Sequence, residues 1–139
     1  MAWSPLTRDE LRAIVARDLS NCSAEQRAYF EAVAIEPEKW MQSPWGDESG
    51  GFWAVAVDHD RVLWLNDYEE GFNVSRFTQR GTIPEDQYWC NQDPLHLALL
   101  ELMTGNNPSG KWGPPQPITA IMTVLRRAAH ALSHLVTRH

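Results

Sequence analysis

Apolar positions follow two different rhythms along this chain, and the change of rhythm marks the elements. Leu6, Leu11, Ile14, Val15 and Leu19 recur at helical spacing behind Ser4-Pro5 and a Thr7-x-x-Glu10 capping box, which predicts a first helix running to about Leu19. Ser20-Asn21-Cys22-Ser23 breaks it. Ser23 with Gln26 then starts a second helix that turns Tyr29, Phe30 and Val33 inward and ends before Pro37. The two form a helical hairpin whose apolar stripes need a partner surface.

The run EPEKWMQSPWGDESGG, residues 36–51, reads as a loop carrying aromatic anchors, because proline and glycine punctuate it. The rhythm then changes to that of a strand. Phe52 to Val57 and Arg61 to Asn66 are β-rich runs separated by Asp58-His59-Asp60, the signature of an antiparallel hairpin. Phe72 to Phe77 is a third strand after a turn at 68–71. Thr82–Ile83 with Gln87–Cys90 is a candidate fourth, interrupted near Pro84. In the second of these strands Val62, Trp64 and Asn66 face one way and Leu63, Leu65 and Asp67 the other, so it is apolar on both sides and central in the sheet.

A third helix is delimited by Asp93 as N-cap, Pro94 at its first position and Gly105 as its stop, with Leu95, Leu99, Leu102 and Met103 inward. A Pro/Gly connector, residues 106–117, carries Trp112. Beyond it Ile118, Ile121, Met122, Leu125, Ala129, Leu132 and Leu135 trace a long amphipathic helix. The expected fold is α+β over residues 1–139 as one domain: an antiparallel meander of three to four strands packed against the N-terminal helical hairpin and the C-terminal helices.

Composition adds two constraints. Seven Trp in 139 residues imply a bulky aromatic core, aromatic surface anchors, or both. Trp53, Trp64 and Trp89 fall in strands and belong to the core. Trp40, Trp45 and Trp112 fall in loops, as staples to the core or as partner contacts. The net charge of −6 argues against a nucleic-acid binder. It is also unevenly spread: residues 36–105 hold thirteen acids against four bases, whereas residues 106–139 hold four bases and no acid. The start MAWSPLTRDELRAIV lacks the basic and continuously apolar stretch of a signal peptide, no run is long enough to span a membrane, and two distant cysteines make no disulfide framework. These point to a cytoplasmic protein.

No motif fixes a reaction. Asp58 and Asp60 lie at one end of the central strand and Asp67, Glu69 and Glu70 at the other, roughly 23 Å away, so they form two rims rather than one acid cluster. Asp67, Glu69 and Glu70 are close enough for general acid and base work, but a solvated turn or a partner contact is the plainer reading. His130 and His134 share a helix face at i, i+4, yet no Glu follows the first, and imidazoles near a helix C-terminus are favoured by its dipole. Cys90 with His96 as base is conceivable, against a plain core cysteine beside Tyr88 and Trp89. No metal or other cofactor is expected.

The segment from Val62 through Leu99, with LWLNDYEEGFNVSRF followed by GTI and YWCNQDPLHLAL, resembles a pattern in small uncharacterised bacterial proteins, some of them similar to immunity proteins of toxin systems. It covers about a quarter of the chain and carries no catalytic residue. The resemblance implies an α+β domain and suggests protein binding. Charge complementarity and buried aromatics would serve an acidic protein that neutralises a basic toxin enzyme. The expectation is a non-enzymatic partner-binding surface of Asp67, Tyr68, Glu69, Glu70, Asn73 and Arg76 with Trp45 nearby. The competing expectations are a small-ligand binder or small enzyme with an acidic and aromatic pocket, and an accessory subunit whose basic C-terminal helix docks on another copy.

Overall fold

The computed structural model describes residues 3–114. The helix expected after the connector, with His130 and His134, lies outside the described residues. Helix α1 (Arg8–Leu19) and helix α2 (Ala24–Val33) both start in reciprocal capping boxes. Thr7 Oγ1 accepts from the Glu10 amide at 3.1 Å while Glu10 Oε1 accepts from the Thr7 amide at 2.9 Å. Ser23 and Gln26 repeat the exchange at 3.0 and 3.1 Å. Each box satisfies amides that a helix start otherwise leaves open, which is why these starts are readable from local sequence.

Four strands follow as an antiparallel meander in chain order: β1 (Ala34–Trp40), β2 (Phe52–Asp58), β3 (Arg61–Asn66) and β4 (Gly71–Arg76). The architecture is α+β, as expected, but the fourth strand comes from a different place. It is β1, drawn from a stretch expected to be loop. Its partner β2 presents a fully apolar ladder, and that pairing overrides the weak strand signal of Glu36, Pro37, Glu38 and Lys39. Pro37 is tolerated because β1 lies at the border of the sheet and its register to β2 shifts between Ala34 and Glu38. Thr82 makes only a single bridge to Met41, and residues 85–87 form a one-turn 3-10 helix, so the segment expected as the fourth strand crosses a sheet face instead.

The sheet separates two cores. On one side α1, α2 and α3 (Leu95–Thr104) cover Trp53, Val55, Ala56, Leu63, Leu65, Phe72 and Val74. On the other, loops cover Trp40, Phe52, Ala54, Val62 and Trp64, joined by Ile83 and Tyr88. The split of β3 follows the expected alternation. In β2 an irregularity between Ala54 and Ala56 places both Val55 and Ala56 on the helical side, after which Val57 returns to the aromatic side.

The start of α3 also differs from expectation. Pro94, not Asp93, occupies the cap position and offers no side-chain bond. The Leu95 amide instead donates to Asp18 Oδ2, from the end of α1, at 3.2 Å. Asp93 is held elsewhere, by Asn91 and Asn107 on Oδ2 and by Ser109 on Oδ1. At the far end Gly105 takes φ 86°, the left-handed stop that glycine favours. Along the outer side of β4, the Phe72 amide donates to the Asp93 carbonyl, Lys111 Nζ donates to the Val74 carbonyl, and the Arg76 amide donates to Gln87 Oε1.

Candidate functional site: an acidic cavity at the β3–β4 turn

The turn joining β3 to β4 is built on Asn66, which is fully buried. Its Oδ1 accepts from the amides of Tyr68 and Glu69 at 3.1 and 3.3 Å, shaping the turn. Its Nδ2 donates to the Tyr88 hydroxyl and the Trp89 carbonyl, both at 3.0 Å, fastening the turn to the loop on the aromatic side. Glu70 adopts φ 60°, a conformation that costs a non-glycine residue energy. Gly71 follows because the backbone of Asn91 and Gln92 passes so close that a Cβ would overlap it.

Asp67 turns to the helical side and ties down the N-terminal segment. Its Oδ2 accepts from the Leu6 amide at 3.0 Å, and the Leu6 carbonyl in turn accepts from Trp53 Nε1 at 2.9 Å. Asp67 is 8% exposed, yet its Oδ1 has no hydrogen-bond partner among the described residues. Lys39 feels the Asp67 charge: burial pushes its ammonium below the ordinary lysine value, and that charge pulls it partly back. Lys39 Nζ itself donates to the Ser49 carbonyl at 2.9 Å.

The strapped N-terminal segment, α1, the turn and residues 92–94 enclose a cavity of about 450 Å³. Leu6, Ile14, Leu65 and Phe72 give it apolar walls, and Asp18, Asp67, Glu70 and Asp93 give it carboxylates. Trp3 forms part of its mouth, 44% exposed and stacked on Tyr68 with centroids 4.3 Å apart. Arg17 is the single cation among the described residues of the lining, and its Nε donates to Asp18 Oδ1 at 3.0 Å. No group of three His, Cys, Asp or Glu side chains among the described residues is placed to hold a metal ion.

Of the residues expected to form one surface, Asp67, Tyr68, Glu69 and Glu70 come together and the others do not. Asn73 is buried: its Oδ1 accepts from the Asn91 amide and its Nδ2 donates to the carbonyls of Gly71 and Asn91. It fixes the 91–93 loop rather than facing outward. Arg76 lies at the other end of β4, opposite Arg61, beside a second cavity of about 370 Å³ lined also by Asp60, Glu101 and Lys111. That end is a structural lock, since Lys111 Nζ donates to Glu101 Oε2 at 2.8 Å and to the Val74 carbonyl at 2.7 Å. Trp45 is half-buried on the aromatic side, stacked on Tyr88 at 5.5 Å. Tyr88 is pushed up by burial, and the Glu69 charge adds to that push. Cys90 packs on the same aromatic cluster, whereas His96 belongs to α3 on the opposite face.

Sequence reasoning missed Trp3, Arg17 and the apolar walls. Trp3 precedes the first capping box and belongs to no periodic run, so nothing local marks it. Comparison with protein-family models, with curated proteins and with solved structures finds no match to this chain, so the site rests on its own geometry.

Proposed function

We propose that this chain is a non-enzymatic protein-binding module that meets a basic partner at the face formed by the β3–β4 turn and the mouth of the acidic cavity. The observation that supports the reading is the excess of carboxylate there: among the described residues Glu70 has no ion pair and Asp67 Oδ1 has no hydrogen-bond partner. Such a face raises association rates with a basic surface, and the exposed Trp3 beside it offers the aromatic contact that concentrates binding energy. Neutralisation of a toxin enzyme is the role that the resemblance of residues 62–99 adds. Among the described residues no helix is long and apolar enough to cross a membrane.

The test is retention of host proteins on the immobilised chain, with each retained protein identified, purified and titrated back. A basic partner is expected, bound at least tenfold more weakly by a Glu69→Lys, Glu70→Lys variant and more weakly still as salt rises. Equal affinity for wild type and variant, or salt-independent binding, overturns the reading. A second reading is favoured by the cavity itself, whose volume lies within the range of small-molecule sites. It predicts a small compound that raises the melting temperature with no protein partner present.

A further inference from the structure

We infer that the cavity is a subsite for a single arginine side chain of the partner, an inference that rests on the protein-binding reading above. Four carboxylates line it, but two are already committed within the fold. Asp18 is shared between Arg17 and the Leu95 amide, and Asp93 is held by Asn91, Asn107 and Ser109. What remains is Glu70 and the Oδ1 of Asp67, which has no partner among the described residues and belongs to a residue more than nine-tenths buried in the cavity wall. A buried carboxylate oxygen without a donor is costly, and a cation held in the cavity beside it offsets that cost by its charge.

The walls select among cations. Leu6, Ile14 and Phe72 provide an apolar passage suited to an aliphatic stem, which a hydrated metal ion would not need. Trp3 at the mouth is stacked on Tyr68 and remains 44% exposed, which leaves indole surface for a flat cation. A guanidinium meets both demands: its plane stacks on an indole while its fork of N–H groups reaches two carboxylates. An ammonium is more strongly hydrated and presents no plane to stack. The excess of negative charge in the lining, four acids against Arg17, also draws the arginine in.

N-acetyl-arginine amide, its lysine counterpart and its uncharged isostere N-acetyl-citrulline amide serve as probes, titrated against the full chain and followed by NMR. The expected result is saturable shifts of the Trp3 indole and the Leu6 and Phe72 amides with arginine, at a Kd on the order of millimolar for so small a probe. Citrulline should bind at least tenfold more weakly and lysine in between. Glu70→Gln, at an exposed position, should weaken arginine binding about tenfold, and so should Asp67→Asn, which keeps an acceptor for the Leu6 amide. No saturable shift, or citrulline binding as well as arginine, overturns the subsite. If arginine amide binds as described but the retained partner ignores Glu69 and Glu70, the subsite stands and the protein-binding reading falls. If the partner needs those acids but arginine amide neither binds nor competes, the rim stands and the subsite falls.

Discussion

Asn66 shows how far one polar side chain can organise this end of the molecule. Each hydrogen-bonding position of its amide is used, two as acceptor within the turn and two as donor to Tyr88 and Trp89. Asn66→Ala should therefore cost about 3 kcal/mol, because buried groups lose partners rather than exchanging them for water, and urea unfolding would measure it. A cost under about 1 kcal/mol would mean that the turn holds its shape without the amide. The sequence shows which face Asn66 occupies, since it alternates with Val62 and Trp64, but not the Tyr88 and Trp89 acceptors of its Nδ2, which lie more than twenty residues away. Tyr29 and Asp58 offer a second test at this scale. Hydrogen bonds from the Tyr29 hydroxyl, and then from His59, hold the Asp58 carboxyl below its ordinary 3.8. On acidification the unfolded chain takes up this proton first, so the stabilisation present above about pH 4 is lost as pH falls through the folded-state value. Tyr29→Phe narrows the gap: the variant should be less stable at neutral pH, with the deficit shrinking toward pH 2. A deficit independent of pH would refute that linkage.

Among the elements, the ones that begin in local chemistry were legible and the ones created by long-range pairing were not. Both capping boxes lie within four consecutive residues, and α1 and α2 start where Thr7 and Ser23 place them. For helix α3 the stop at Gly105 was legible, but the expected start at Pro94 behind an Asp93 cap was not the real one: the helix begins at Leu95, whose amide is satisfied by Asp18, contributed by α1 across seventy-seven residues of sequence. Asp18→Ala should destabilise the protein by about 1 kcal/mol, within the range for losing a helix cap, and should speed amide exchange of the first turn of α3. Asp18→Asn, which keeps an acceptor, should recover most of that loss. An unchanged exchange rate at Leu95 in the alanine variant would show that the cap carries no weight. Strand β1 was hidden for the same reason as the cap: only Ile35 and Trp40 among its residues look like strand, and it exists because β2 offers it a ladder.

At the scale of the whole molecule, one sheet divides a helical core from an aromatic one, and the candidate site sits at a single end of that sheet. The acids of the β3–β4 turn were visible in the sequence because turns are short and polar. The cavity was not, because its walls come from residues 3–6, α1, β3, the β3–β4 turn, β4 and residues 92–94, which only folding assembles. The same distance hid the distinct fates of Asn73 and Arg76, which the sequence grouped with the turn and the fold sends inward and to the far end. The bonds along the outer side of β4 bear on how the molecule can associate. An unpaired row of strand amides and carbonyls invites another chain to add itself as a further strand, the usual route to aggregation. Here the Phe72 amide, the Val74 carbonyl and the Arg76 amide are taken by Asp93, Lys111 and Gln87, while Pro37 leaves β1 one donor short and its carbonyl accepts from Arg8. Among the described residues both flanks of the sheet are poor templates for strand addition, so a partner of the kind proposed would meet side chains at the turn rather than a strand edge.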